Sequence, residues 1–175
     1  MRRLALVLVL AVAACSSGEG SGTTTTGSTV APVAGTPLRV DDVAAAVAAV
    51  EEARGGTQQY TEINAIPDGV NVFVALGGGQ ELDYFYADGG LQEPGAPTAS
   101  QATPFTLDGV DLGAPSRLVE QVQQQFPGAR VQQVALVHLP ELGLVWGVRS
   151  RSVRGGDLNS FFSPDGTRLL SVVPT

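Results

Sequence analysis

The chain holds one cysteine, Cys15, in 175 residues. A single thiol cannot close an intramolecular disulfide, so any fold must be held by its apolar core. A zinc site needs three or four His, Cys or carboxylate ligands, and one histidine, His138, beside one cysteine makes that chemistry improbable. Ser-His-acid catalysis is disfavoured for the same reason. His138 sits in the apolar run Val137-His138-Leu139, and no Gly-x-Ser-x-Gly elbow is present. Lysine is absent; all ten basic residues are Arg, against 17 acids, for a net charge of −7. The Gly-Lys-Ser/Thr of a phosphate loop is therefore missing. Gly77-Gly78-Gly79 lies between two strand candidates and reads as a hairpin turn. An acidic chain repels phosphate backbones, so nucleic acid is not an expected partner. It also repels an anionic bilayer. Long apolar runs are scarce too. Leu4 to Ala13 spans ten residues, half of the roughly 20 that a spanning helix needs.

That run carries the first positive signal. It follows the basic Met1-Arg2-Arg3 and ends in Val12-Ala13-Ala14-Cys15. A basic segment and a short apolar stretch read as a signal peptide over residues 1–14. The last four residues resemble the bacterial lipobox: an aliphatic residue, two small residues, then Cys. The resemblance implies acylation of the Cys15 sulfur, cleavage before it, and an anchor on the extracytoplasmic face of the cell membrane. Two or more acyl chains hold stably where one binds marginally. The mature chain would keep 8 Arg against 17 acids, a net −9. The anchor would then supply the membrane attachment that charge cannot. Residues 15–37 are built mainly of Ser, Gly, Thr, Ala and Pro with one acid. Such a segment cannot bury enough surface to fold. It predicts a flexible tether with an end-to-end distance of roughly 25 Å.

Residues 38–175 carry the pattern of a folded α+β domain. Hydrophobic residues make up 43% of the chain and charged ones 15%, enough for a core in a domain of this size. Asp41-Asp42 offers an N-cap; Val43, Val47 and Val50 follow at helical spacing, and Gly55-Gly56 ends the run. Strands are predicted over Gln58 to Ile66, Val70 to Leu76 and Leu82 to Tyr86. Residues 92–115 hold several prolines and read as a crossing loop with a short strand near Phe105. A second helix is predicted from Ser116 to Phe126, with Pro127-Gly128 as its stop. Val131 to Leu139, apolar on both faces, predicts a central strand. Leu144 to Arg149, Leu158 to Ser163 and Leu169 to Val173 complete the set, with Pro164-Asp165-Gly166 as a hairpin turn.

The two halves, 38–91 and 114–173, share one order: helix, Gly-containing stop, then antiparallel strands. Leu82-Asp83-Tyr84-Phe85-Tyr86-Ala87-Asp88-Gly89 is similar to Leu158-Asn159-Ser160-Phe161-Phe162-Ser163-Pro164-Asp165-Gly166 with one insertion. The expectation is a duplicated helix-plus-meander unit, αβββ twice, packed as one domain. A helix and meander ending in aromatic strand, Asp-Gly and strand resembles PepSY-like domains and the tandem repeats of β-lactamase-inhibitor-like proteins. Together with its all-Arg, Ala/Gly/Val-rich composition, which GC-rich genomes produce, the chain also resembles lipoproteins of actinobacteria. The resemblance implies inhibition, partner binding or envelope assembly, with no catalysis. No family motif is visible beyond the turn, so the resemblance carries over no functional residue.

Arg149, Arg151 and Arg154 form the one basic cluster. Arg149 and Arg151 share a strand face and are either neutralised by nearby acids or able to meet an anionic group. Tyr84 and Tyr86, with Phe85 between them, place aromatics on both faces of one strand; one face should be core and the other a candidate partner surface. Trp146 lies opposite Arg149 and is expected in the core. Asp108-Gly109-Val110-Asp111, Asp83 and Asp88 do not follow a calcium-loop spacing and read as turns. No cofactor or metal is expected. The leading expectation is a non-catalytic lipoprotein, membrane-anchored at Cys15, that binds an envelope protein or component. The alternative is a carrier of lipid or a small ligand in an apolar cavity.

Overall fold

The computed structural model describes residues 37–174. The expected signal peptide, Cys15 and all but the last residue of the expected tether lie outside the described residues. The described residues are mixed α+β: two α-helices and one antiparallel sheet of nine strands.

A 3-10 turn, Val40–Asp42, leads into helix α1, Val43–Arg54. Val43, Ala46, Val47 and Val50 are its buried residues, spaced so that they fall on one side. Neither Asp41 nor Asp42 caps α1 with its side chain. The Asp42 carboxylate instead takes the Arg39 Nε at 2.6 Å, and Asp41 accepts the Ser116 hydroxyl. Gly55 ends the helix in the left-handed conformation, φ 76°, which glycine adopts without steric cost. The Gly56 N–H then donates to the Glu51 carbonyl at 2.8 Å.

Strands β1 (Tyr60–Ile66), β2 (Gly69–Gly77) and β3 (Gln80–Ala87) follow as a meander. The alternation over β1 is loose because its ladder to β2 slips at Thr61, between Tyr60 and Glu62. That extra residue lets Tyr60 and Ile63 both point into the core. Two short strands, β4 (Gly90–Leu91) and β5 (Thr98–Ala99), pair with opposite ends of β3 and cover that edge. The short strand expected near Phe105 is a single bridge to Tyr60.

Helix α2 spans Ala114–Gln125, two residues earlier at its start than the sequence suggests, with Pro115 in its first turn. Strands β6 (Arg130–Leu139), β7 (Gly143–Arg151), β8 (Asp157–Phe162) and β9 (Leu169–Pro174) form the second meander. The sheet order is β4-β3-β2-β1-β6-β7-β8-β9. The two meanders thus join through β1 and β6 into one continuous sheet, and the doubly apolar β6 is central.

The ladder registers place Tyr84, Val72, Ile63, Leu136, Trp146 and Phe162 in one cross-strand row. These residues share a single core with the buried residues of α1 and α2. Helix α1 packs on β1–β3, and α2 on β6 and β7. Both helices therefore cover the same face. Trp146, Tyr60, Phe162, Ile63, Leu118 and Leu136 fill the space between layers and are the largest fully buried side chains.

Candidate functional site

Alternation along the strands sends the intervening residues to the other face. One row across that face reads Phe85, Asn71, Asn64, Ala135, Gly147, Phe161. The next row towards one end holds Gln133, Arg149 and Asn159. The row towards the other end holds Asp83, Phe73, Glu62, Val137 and Val145. Among these, Val145 is fully buried although it lies outside the main core.

A depression of about 460 Å³ opens on this face, lined by Asn64, Ile66, Asn71, Gln132, Gln133 and Arg149. Backbone irregularity creates part of it. The β6–β7 ladder slips between Val131 and Gln133, so Gln132 is an extra residue. A bulge re-aims side chains, and here two consecutive glutamines reach one site. The Asn71 Nδ2 donates to the Asn64 Oδ1 at 3.1 Å, and the Asn64 Nδ2 donates to the Glu62 Oε1 at 2.6 Å. This directed chain holds Asn64, only 7% exposed, in one orientation.

Arg149 is the only ionised group in the lining. Its Nη2 donates to Asp157 Oδ2 at 3.2 Å. Arg151 forks onto the same carboxylate, Nε to Oδ1 at 2.8 Å and Nη2 to Oδ2 at 3.3 Å. The Asp157 side chain is 11% exposed, while Arg149 and Arg151 are 53% and 59% exposed. The guanidinium of Arg151, then that of Arg149, hold the Asp157 carboxyl below the ordinary range. One carboxylate thus serves two cations. At the other end of the face, burial and then the nearby Glu81 push the Asp83 carboxyl up.

The residues singled out from sequence fall in different places. Arg149 and Arg151 share a face as expected, but only Arg149 lines the depression. Arg154 lies in the exposed turn after β7, where its own backbone N–H donates to the Ser152 hydroxyl oxygen. Tyr84 is not a partner surface: it points towards the helices, is 5% exposed and belongs to the core. It also lines a second depression, with Glu52 and Glu93. Tyr86 is half-buried against the same core. The physical reason is register, since both tyrosines alternate onto the face that α1 covers. Phe85 points to the other face, where its ring leans over Gly69. Trp146 is in the core opposite Arg149.

His138 is half-buried at the end of β6, and its Nδ1 is buried without a hydrogen-bond partner. Among the described residues, no three His, Cys, Asp or Glu side chains gather in a way that could hold a metal ion. No helix among them is long and apolar enough to cross a membrane. Sequence reasoning missed Asn64, Asn71, Gln132 and Gln133. The two asparagines left a usable signal, because Asn is depleted inside strands and here occurs in two adjacent ones.

The chain matches no protein-family model, no curated protein and no solved structure.

Proposed function

We propose that this protein is an extracytoplasmic binding module, anchored to the cell membrane by lipid on Cys15 and without catalytic chemistry. The observation that carries the reading is the lopsided sheet. Both helices cover one face, and the other face presents a polar depression with a guanidinium and four carboxamides. Preorganised donors and acceptors on a rigid sheet suit recognition. The basic n-region, short apolar stretch, lipobox-like Val12-Ala13-Ala14-Cys15 and tether to Pro37 support the anchor. We further propose that the domain is a duplicated αβββ unit that resembles PepSY-like domains and the tandem repeats of β-lactamase-inhibitor-like proteins. The mirrored strand order about the β1–β6 seam supports it.

A carrier function has less support. The core volume is filled by Trp146, Tyr60 and Phe162, and neither depression is an enclosed apolar cavity.

Two experiments test the proposal on the full chain. Palmitate labelling and membrane fractionation should show an acylated membrane protein, and Cys15→Ser should abolish the label and release the chain. A labelled Cys15→Ser protein would sink the anchor. Crosslinking in the native membrane should capture a stoichiometric envelope component, reduced by Arg149→Glu. Capture that is indifferent to every substitution on the helix-free face would sink the binding site.

A further inference from the structure

Resting on the binding-module reading, we propose that the helix-free face binds a saccharide bearing a carboxylate. Three features of the face converge on that chemistry.

The first is charge. The mature chain is strongly acidic, yet no carboxylate lines the depression and its one charged group is cationic. Asp157 satisfies only the Nη2 of Arg149 while taking two bonds from Arg151. One positive charge is left over between the three groups. The planar fork of an arginine matches a carboxylate, which it can hold through two parallel N–H bonds.

The second is the kind of polar group around that charge. Asn64, Asn71, Gln132 and Gln133 are carboxamides, each with two donors and an acceptor oxygen. Sugar hydroxyls also donate and accept, so amides serve them in either sense. The amide chain running from Asn71 through Asn64 to Glu62 fixes two of these groups before any ligand arrives. A peptide main chain would more readily add to a free strand edge, whereas this depression lies across the middle of the sheet.

The third is the pair of aromatic rings at the ends of the same cross-strand row. A Cβ built on Gly147 would meet the Phe161 ring at 3.4 Å, and one built on Gly69 would meet the Phe85 ring at 2.6 Å. Each ring therefore leans over a glycine on the neighbouring strand. It becomes a fixed apolar platform, of the sort that packs against the C–H face of a sugar ring. Phe85 and Phe161 are five strand steps apart, roughly 24 Å at the usual spacing. That span fits an oligosaccharide better than a single sugar.

The test uses the full chain in detergent micelles and three probes: oligogalacturonate, its methyl ester, and polyglutamate of matching charge. Calorimetry should show saturable binding of oligogalacturonate, weakened by about tenfold or more in the methyl ester and in Arg149→Ala. Phe161→Ala should weaken it severalfold, and Arg154→Ala should leave it unchanged. Arg149→Lys, which keeps charge but loses the fork, should fall between wild type and Arg149→Ala. Each variant's melting temperature checks that it folds. Polyglutamate bound as tightly as oligogalacturonate would overturn the saccharide in favour of an acidic peptide. No binding of oligogalacturonate at millimolar concentration would overturn the proposal outright. A protein captured by membrane crosslinking in that case would leave the binding-module reading standing; failure of both would remove it as well.

Discussion

The indole N–H of Trp146 donates to the carbonyl oxygen of Pro164 at 2.9 Å, from inside the core to the turn between β8 and β9. The same oxygen accepts the Asp111 N–H at 3.1 Å. One carbonyl thus ties a central strand to the loop that leads into α2. In Trp146→Phe the carbonyl keeps its Asp111 partner, so the loss is one hydrogen bond and part of a buried ring. The expected destabilisation is about 1–3 kcal/mol. Trp146→Ala should cost about 3–5 kcal/mol, because the cavity left between the layers adds to the loss. Urea unfolding followed by circular dichroism checks both, and equal effects for the two would contradict this account.

Gly166 closes the same turn from the other side. Its φ is 69°, and a Cβ there would lie 2.5 Å from the Ala114 Cβ at the start of α2. Gly109 has a similar φ, 74°, with nothing within 4 Å of its Cβ position. Both glycines to alanine should cost about 1–2 kcal/mol for the left-handed conformation. Gly166→Ala alone should add a clash of about 1–3 kcal/mol. A double-mutant cycle with Ala114→Gly separates the two effects. The clash should be relieved for Gly166→Ala and no coupling should appear for Gly109→Ala.

Legibility differed between fold and site for physical reasons. The helices, the long strands and the Asp-Gly turn were visible because hydrophobic period and turn chemistry are local. Helix α1 differs at its cap because the sequence offers Asp41 and Asp42 for capping, but other partners take them: Ser116 on α2, 75 residues away, and the neighbouring Arg39. Whether the halves share one sheet depends on the β1–β6 pairing, about 70 residues apart in sequence, which no local pattern encodes. Tyr84 shows the same limit, since alternation says that Tyr84 and Phe85 oppose each other but not which side the helices take. The depression was least legible. It needs the Gln132 bulge and the meeting of β1, β2, β6 and β7.

Stability should fall on both sides of neutrality. Hydrogen bonds from Arg117 and the Gly113 N–H hold the Asp111 carboxyl down, and those from Ser163 and Thr167 do the same for Asp165. Asp157 is lowered by Arg151 and Arg149. Each lowered carboxylate contributes stability that is complete above its unfolded value, about 3.9, and is lost as pH falls through its folded value. Asp83, raised by burial and Glu81, acts in the opposite sense and partly offsets them. On the alkaline side, burial and then the bond to Glu51 at 2.9 Å push the Tyr60 phenol up. Its contribution is whole below the ordinary tyrosine value, about 10, and fades as pH rises beyond it. Melting temperatures across pH should show the acid limb flattened by Asp165→Asn and the alkaline limb flattened by Tyr60→Phe. Unchanged limbs would assign the pH dependence to other groups.

The half-buried His138 and the buried Asn64 should respond oppositely to the same apolar replacement. His138 keeps its Nδ1 buried without a partner, so it already bears the desolvation cost of an unmade hydrogen bond. His138→Leu removes that atom and keeps most of the volume, and stability should hold or rise by up to about 1 kcal/mol. Asn64 is more deeply buried and engaged at both ends of its amide, accepting from Asn71 and donating to Glu62. Asn64→Leu strips a partner from both, one of them a carboxylate, and should cost about 1–3 kcal/mol. It should also disorder the amides of the depression, which heteronuclear NMR would register at the Asn71 side-chain amide. If His138→Leu instead destabilises as much as Asn64→Leu, the histidine makes a bond in solution that its buried nitrogen does not make here.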